Sequence, residues 1–322
     1  MSTLAATPHL SIQVLNFATE THGDWQGMAD HAVAADRAGV DRLAVADHVA
    51  FGDDLSAYAD PKSGGTAGGR QPTGPDGAWL EPLTTLAWLA ARTDRIRLQT
   101  GILLAALRRP VVLAKTAATL DVLSGGRLDL GVGIGWQAAE YEAAGLEFAE
   151  RGLILDEALA VCRALWTQDR AAHDGPALTF EDIHAQPKPV DPSGLPVWVS
   201  GTANRRTAQR LAEFGRGWIP WGDDRADVVA GIARMKDLLS ELGHDPDGFE
   251  TQGTLPLVRD DDGAPDLDRT MAAVPGLVAA GVTDCRIAIP VPDQVDTATE
   301  VLAGVVAAFR TVAGRNDAEE RR

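Results

Sequence analysis

An aspartate and a histidine, Asp47 and His48, stand side by side directly after a short apolar segment. That segment, RLAVA (42–46), has the composition of a buried strand, so the pair is predicted to lie where the strand ends. An imidazole there can donate a hydrogen bond or exchange a proton near neutral pH, and the adjacent carboxylate can hold a polar cofactor group. The alternative is a loop pair that caps the next helix or binds water.

Three glycines, Gly131, Gly133 and Gly135, alternate with apolar residues at the end of another predicted strand, and Trp136 follows them. A backbone without side chains can approach a flat ligand closely. The spacing differs from the dinucleotide fingerprint G-x-G-x-x-G, and no acidic strand end follows about 20 residues later. The alternative is a tight strand-to-helix turn.

A third candidate is the segment SGTANRR (200–206), where a predicted strand passes into a predicted helix. Small hydroxyl and glycine residues at a helix N-terminus suit a phosphate, and Arg205 and Arg206 add positive charge. The alternative is an ordinary N-cap by Thr202 or Asn204 with solvated arginines.

Weaker signals lie at other strand ends. Gly101 permits a bulge after the segment RIRLQT, and Trp136 and Trp221 lie where they can wall a ligand pocket. No spacing of histidine, cysteine or paired carboxylates is typical of a metal site, so no metal is predicted.

Eight apolar, strand-like segments alternate with longer helical ones. They are 11–17, 42–46, 95–101, 128–132, 197–200, 217–220, 251–258 and 284–289. Such alternation predicts an α/β fold with a parallel sheet and helical crossovers. Eight units favour a (β/α)8 TIM barrel, in which all the candidate residues meet at the C-terminal face. An open doubly wound sheet is the competing architecture.

Residues 1–322 are predicted to form one domain, because no repeat or linker divides the chain. Residues 51–78 are rich in Gly, Asp and Pro and follow the second strand, which predicts an insertion at the C-terminal face. It is either a disordered surface loop or a lid. A smaller extended excursion spans 172–192, and the polar residues 315–322 are expected to form a flexible tail.

Acidic residues outnumber basic ones by 46 to 29, which gives a net charge of −17. Such a surface repels phosphate backbones, so no nucleic-acid partner is expected. No apolar run is long enough to span a bilayer and no leader precedes the first strand, so we expect a cytoplasmic protein without a membrane partner. Cys162 and Cys285 lie in apolar segments and are predicted to be buried thiols.

Several segments together resemble the bacterial luciferase-like flavin and deazaflavin oxidoreductases. They are TGILLAALRRPVVLAKTAATLDVLSGGRLDLGVGIGWQAAEYEAAG (100–145), DRLAVADH (41–48), ERGLILDEALAVCRALW (150–166), PKPV (187–190), and PVWVSG followed by GRGWIP. Order and spacing match over roughly residues 10–220, and the C-terminal third matches more weakly. The resemblance implies a (β/α)8 barrel, usually a homodimer, that holds coenzyme F-420 or FMN.

The resemblance also implies residue roles. Asp47 and His48 resemble the pair beside the deazaflavin ring, with His48 as the catalytic donor. Gly101 and Ile102 resemble a bulge, often a non-proline cis peptide, that backs the ring. The remaining cofactor contacts are a ring-side turn and a phosphate loop, which correspond to Ile134, Gly135 and Trp136 and to Ser200, Gly201 and Thr202.

The chain departs from the sugar-phosphate dehydrogenases of this family, so oxidation of a sugar phosphate is not expected. Their catalytic Glu after the glycine turn is replaced by Trp136, and their Trp after the Asp-His pair is replaced by Phe51 and Gly52. Phe51, Trp136 and Trp221 are predicted to line the substrate pocket, which favours a small apolar or aromatic organic substrate. Glu20, just past the first strand, is a further acid near the pocket.

The resulting hypothesis is hydride transfer between coenzyme F-420 and that substrate, in which the cofactor supplies the chemistry and the protein supplies positioning and charge. The first alternative is an FMN-dependent monooxygenase that uses reduced FMN and oxygen. The second is a binding or stress protein that keeps the barrel without a cofactor.

Overall fold

A closed barrel of eight parallel strands forms the centre of the computed structural model, which describes residues 7–19, 23–63 and 65–315. Neighbours in sequence are neighbours around the barrel, and the first strand pairs with the last through Leu10 and Cys285. The predicted (β/α)8 architecture is therefore confirmed. The strands are β1 (His9–Gln13), β2 (Arg42–Val45), β3 (Arg97–Thr100), β4 (Leu128–Val132), β5 (Val197–Gly201), β6 (Gly217–Pro220), β7 (Glu250–Leu255) and β8 (Asp284–Ile287).

Helices surround the barrel and cover its apolar outer face. Their ends follow from capping chemistry: Asp24 accepts a hydrogen bond from the Gly27 amide to begin the first helix, and Gly39, at φ 92°, ends it. The helices are α1 (Trp25–Ala38), α2 (Pro82–Ala90), α3 (Pro110–Ser124), α4 (Ala138–Ala143), α5 (Arg151–Thr167), α6 (Arg205–Phe214), α7 (Asp223–Ala226), α8 (Val228–Glu241), α9 (Leu267–Met271), α10 (Val274–Ala280) and α11 (Val295–Ala313).

Two helical stretches of the chain are each divided into two helices. The Asp227 side chain accepts from the Ala230 amide and caps the start of α8 directly after α7. Pro275 lies in the first turn of α10, where its missing amide hydrogen does no harm, and α9 ends shortly before it.

The insertion 51–78 begins directly after the loop that follows β2. It contains two short 3-10 helices, Ser56–Ala59 and Pro61–Ser63, and ends in the strand Ala78–Trp79, which pairs with Phe17–Ala18. This pairing ties the end of the insertion to the loop after β1, on the face where the C-terminal strand ends lie.

A hairpin outside the barrel accounts for the second excursion. Its strands, Ala171–Asp174 and Thr179–Ile183, pair antiparallel between α5 and β5. At the chain's other end, Arg315 is anchored to Asp41 at 2.7 Å. Residues 316–322 lie outside the described residues, and so does Glu20.

The barrel interior is polar near its base, in contrast to the apolar layer between strands and helices. Arg42 donates from Nε to Asp129 at 2.8 Å and from Nη1 to Asp284 at 2.6 Å. Arg97 donates to both oxygens of Asp129 at 2.8 Å. Burial raises the pKa of Asp129, but the two guanidinium groups outweigh this effect and lower it overall.

Within the described ranges, no helix is both long enough and apolar enough to cross a bilayer.

Candidate active site

A cavity of about 420 Å³ opens at the C-terminal ends of the barrel strands. It is the place where the predicted cofactor-contacting residues meet, although they come from four separate segments of the chain. Every one of them lines it: Asp47, His48, Gly101, Ile102, Ile134, Gly135, Trp136, Ser200, Gly201 and Thr202.

His48 is held by Glu140, a residue of α4 that sequence reasoning missed. The Nδ1 atom of His48 lies 3.1 Å from Glu140 Oε2, and both side chains are buried. The other carboxylate oxygen accepts from the amides of Val49 and Ala50 at 2.7 and 3.3 Å. Because a carboxylate only accepts, Nδ1 is the donor. Within the described part of the chain, Nε2 of His48 has no protein partner and is left for a ligand.

Aromatic rings enclose His48. Its ring centroid lies 4.5 Å from that of Phe51, 4.8 Å from that of Trp79 and 5.7 Å from that of Trp136. Trp79, Trp136 and Trp221 line the cavity, whereas Phe51 does not and lies behind His48. The prediction of Phe51 as a pocket residue therefore needs correction. Phe51 packs against the His48 imidazole, and Trp79 lines the cavity.

Asp47 positions a loop, and both of its carboxylate oxygens already accept from protein donors. Its Oδ2 accepts from the Leu104 amide at 2.8 Å and from Arg108 at 2.6 Å, and Arg108 also reaches Oδ1 at 3.1 Å. The side chain is fully buried. Burial raises the pKa of Asp47, and the Arg108 guanidinium opposes that rise. The carboxylate was predicted to hold a polar cofactor group, but in the structure it holds the Leu104 amide and Arg108 instead.

A bulge and a glycine turn form part of the cavity wall. The peptide bond Gly101-Ile102 is cis, and the chain rejoins the sheet where Leu103 donates to the Gly131 carbonyl at 2.7 Å. A Cβ on Gly133 would stand 2.8 Å from Ile102 Cδ1, so a larger residue there would require the Ile102 side chain to shift. Tyr141 fixes the turn by donating to the Ile134 carbonyl at 2.6 Å.

The segment 200–206 joins β5 to α6 at the edge of the cavity. Asn204 caps the helix by accepting from the Thr207 amide at 3.0 Å, while Ser200 and Thr202 line the cavity. Arg205 and Arg206 are exposed and do not line it. The cations at this edge are instead Arg210, from the inner side of α6, and Arg225 of α7.

The insertion 51–78 covers part of the cavity. Tyr58, Pro61 and Gln71 line it, and the Tyr58 ring meets that of Trp136 edge-on at 5.3 Å. Gln71 is only 8% exposed, yet neither its amide nitrogen nor its amide oxygen has a hydrogen-bond partner in the described structure. A buried amide without partners indicates a ligand contact.

The floor of the cavity carries polar groups that the sequence pattern did not indicate. They are Gln13, Gln252, Thr254 and Arg286, which come from β1, β7 and β8. Among residues 7–19, 23–63 and 65–315, no group of three His, Cys, Asp or Glu side chains is placed to share a metal ion.

The model of the luciferase-like monooxygenase family matches residues 9–280. The chain belongs to that family. An uncharacterized protein of Mycobacterium tuberculosis is 37% identical over 166 residues, which cover 52% of this chain and 58% of the relative. The chain thus spans a little more than half the length of that relative.

Two further relatives carry functional names. An F420-dependent glucose-6-phosphate dehydrogenase of Segniliparus rotundus is 32% identical over 247 residues, 68% of this chain and 65% of the relative. A pyrimidine monooxygenase of Escherichia coli is 30% identical over 171 residues, 52% of this chain and 47% of the relative.

Among solved structures, an F420-dependent secondary alcohol dehydrogenase in complex with an F420-acetone adduct superposes with a TM-score of 0.72. It is 16% identical, and the match covers 94% of this chain and 99% of that chain. At this identity the likeness establishes the luciferase-like barrel fold.

Proposed function

We propose that this protein is an oxidoreductase that transfers a hydride between coenzyme F-420 and a small, apolar or aromatic organic substrate. The observation that carries the proposal is the single cavity on which all ten residues expected at the deazaflavin converge. The F420-dependent relative at 32% identity supports the choice of deazaflavin.

The residues present fit such a cofactor. A cavity of about 420 Å³ has the size of a small-molecule site. Glycines leave the bulge and the turn free of side chains beside the cavity, and Ser200 and Thr202 offer hydroxyls near the start of α6, where amides suit a phosphate. The unpartnered Gln71 amide is a further group that a ligand would satisfy.

The bound deazaflavin would supply the carbon that accepts or donates the hydride. His48 would hold or release the accompanying proton at Nε2, because Glu140 occupies Nδ1. Trp79, Trp136 and Tyr58 would exclude water from the reacting atoms. Trp136 and Trp221 would hold the apolar body of the substrate.

The second candidate is an FMN-dependent monooxygenase that uses reduced FMN and oxygen. The pyrimidine monooxygenase relative at 30% identity favours it, and the same His48 and aromatic wall would serve it.

Cofactor titration tests the proposal. Purified protein is titrated with coenzyme F-420 and, separately, with FMN, and then assayed with the preferred cofactor against alcohols and aromatic compounds by cofactor absorbance. We expect saturable F-420 binding at least about 10-fold tighter than FMN binding. Tight FMN binding without F-420 binding would replace the first candidate by the second. The absence of binding by both would leave a barrel without a cofactor.

We further infer a cytoplasmic homodimer. The buried free thiols of Cys162 and Cys285 suit a reducing compartment. One face of α3 exposes apolar side chains that a second copy would cover, namely Val111, Val112, Val122 and Leu123.

A further inference from the structure

A chain of buried charges runs up the barrel interior. At its base, Arg97 and Arg42 both donate to Asp129 at 2.8 Å, and Arg42 also donates to Asp284 at 2.6 Å. The Arg42 guanidinium additionally lies 4.7 Å from the Trp198 ring. Both carboxylates are therefore engaged by these two arginines.

A third arginine, Arg286, lies at the cavity floor, and among the described residues its side-chain hydrogen-bond partner is the neutral amide of Gln99. Gln252 donates to Asp284 at 3.1 Å and to Gln99 Oε1 at 3.2 Å, and Arg286 Nη2 donates to the same Gln99 oxygen at 2.7 Å. Within the described structure, Nε of Arg286 is buried without a partner.

Arg286 differs from the other two arginines in its hydrogen-bond partners. Arg42 and Arg97 both pair with Asp129, and Arg42 also pairs with Asp284. Asp284 stands two residues before Arg286, but within the described structure no hydrogen bond joins them: its Oδ2 serves Arg42 and Gln252, and its Oδ1 has no partner. Among the described residues, no carboxylate accepts a hydrogen bond from Arg286, so its guanidinium is free to pair with a further anion.

Two buried acids beside the cavity have their own partners. Asp47 pairs with Arg108, and Glu140 with His48 and two loop amides. Burial lowers the pKa of Arg286 to about 10, the nearby Arg42 and Arg225 lower it too, and Asp284 opposes them, so the guanidinium stays charged at neutral pH.

The Arg286 guanidinium also lies directly against the cis bulge. A Cβ on Gly101 would stand 3.0 Å from Arg286 Nη1 and 3.6 Å from Nη2. Since Gly101, Ile102 and Arg286 all line the same cavity, the cation is within reach of a ligand that rests on the bulge. A partly buried guanidinium whose hydrogen-bond partner is a neutral amide can take an anion as a further, charge-assisted partner.

We propose that Arg286 binds the carboxylate of the substrate, so that the substrate class is small aromatic or apolar carboxylic acids. The apolar body would lie against Trp136 and Trp221, and the Gln71 amide would supply a second polar contact from the insertion. This inference rests on the proposed function in that the ligand is taken to be the substrate of the same cavity.

The test measures ligand binding to the full-length, cofactor-free protein by titration calorimetry. The probes are matched pairs of an acid and its neutral amide: benzoate with benzamide, and 3-phenylpropanoate with 3-phenylpropanamide. We expect each carboxylate to bind at least about 10-fold tighter than its amide, because a charge-assisted hydrogen bond is lost in the amide. The preference should disappear in Arg286→Met and persist in part in Arg286→Lys.

The matched control is Arg205→Met, which removes an exposed arginine that does not line the cavity and should keep the preference. Equal binding of acid and amide by the unaltered protein, or an undiminished preference in Arg286→Met, would overturn the inference. So would a loss of F-420 affinity in Arg286→Met without any acid preference, because the cation would then serve the cofactor. If acid preference is present but F-420 does not bind, the inference stands and the deazaflavin proposal fails.

Discussion

Glu140 determines which nitrogen of His48 faces the cavity. Its two oxygens have different partners: Oε1 accepts from the Val49 and Ala50 amides, and Oε2 accepts from His48 Nδ1. The same carboxylate thus fixes both the loop after β2 and the tautomer of the imidazole. A histidine in this position is prepared to exchange its proton through Nε2 alone.

Glu140→Gln should reverse that tautomer. The amide oxygen would keep the loop amides, so the amide nitrogen would face Nδ1 and the ring proton would move to Nε2. We expect a loss of about 1–2 kcal/mol in unfolding free energy, because a charge-assisted hydrogen bond is replaced. Nitrogen-15 NMR of the His48 ring reports the tautomer, and urea unfolding reports the stability.

Glu142→Gln is the control for this change, since Glu142 is exposed on the same helix. It should alter neither the ring nitrogen shifts nor the urea midpoint. Retention of the Nδ1-protonated form in Glu140→Gln would contradict the assignment of Glu140 as the acceptor.

At the scale of elements, the insertion 51–78 is held to the barrel by aromatic contacts at two points. Trp79 stacks on Phe17 at 4.3 Å beside the short antiparallel pairing, and Tyr58 meets Trp136 edge-on at 5.3 Å. The first contact lies at the end of the insertion and the second in its middle. The Tyr58–Trp136 ring pair therefore links the middle of the insertion to the cavity wall.

Tyr58→Ala should loosen the insertion while the barrel keeps its stability. An aromatic pair contributes about 1 kcal/mol beyond its buried area, so the open form should become about 5-fold more populated. Trypsin cleavage at the exposed Lys62 and Arg70 measures that opening. Tyr58→Phe keeps the ring and should be cleaved at the original rate. Equal cleavage rates for the alanine and phenylalanine variants would show that this contact does not hold the insertion.

At the scale of the whole molecule, Asp41 joins the two ends of the described chain. It accepts from the Leu10 amide at 2.8 Å and from both terminal nitrogens of Arg315, at 2.7 and 3.1 Å. Burial raises the pKa of Asp41, but hydrogen bonds from His9, Arg315 and Leu10 outweigh that effect and hold it well below its usual value. The end of the chain is thus tied to the strand that closes the barrel.

This depressed pKa predicts how stability depends on pH. A carboxyl whose folded pKa lies below its unfolded pKa of about 3.9 contributes fully above that value and loses its contribution as pH falls. Asp41→Asn should cost about 2 kcal/mol at pH 7, and the difference from the unaltered protein should shrink below about pH 4. Urea unfolding at pH 7, 5 and 3.5 measures this difference.

Asp296→Asn serves as the comparison for the pH series, because Asp296 pairs with Arg37 at 3.7 Å while almost fully exposed. It should cost less than about 1 kcal/mol at every pH. A penalty for Asp41→Asn that stays constant down to pH 3.5 would mean that the carboxylate charge is not what stabilises the junction.

The exposed apolar face of α3 carries the prediction about assembly. Leu123 is 74% exposed and Val112 is 62% exposed, which is unusual for a helix that faces only solvent. Leu123→Glu should convert a homodimer into a monomer without lowering the melting temperature. Light scattering after size exclusion gives the mass, and Val229→Glu, on the exposed face of α8, should leave it unchanged. If light scattering shows that the unaltered protein is a monomer, the homodimer proposal is wrong.

Much of the fold could be predicted because its signals are local. The alternation of strand-like and helical segments determines the eight units, and parallel strands in a barrel end on one face. Asp47, Gly101, Gly135 and Ser200 therefore meet at one cavity even though none of them is informative alone. The end of α1 is likewise a local signal, because Gly39 adopts the left-handed conformation that ends the helix.

The direction and partner of each side chain could not be predicted in the same way. The bond between His48 and Glu140 spans 92 residues, and that between Arg286 and Gln99 spans 187. Such pairs arise only when the barrel closes and inward side chains from different strands share one interior. Arg205 and Arg206 show the converse, because their position in the sequence suggested a phosphate site while their side chains face solvent.

The amino-acid sequence by itself thus determined the barrel, its family and the segments that form the mouth of the cavity. Tertiary structure alone decided that Asp47 pairs with Arg108, that His48 uses Nδ1 for Glu140, and that Arg286 at the cavity floor has no carboxylate hydrogen-bond partner among the described residues. The physical reason is range: helix ends and strand periodicity depend on near neighbours, whereas hydrogen-bond satisfaction and charge balance depend on whatever distant segment the closed barrel brings alongside.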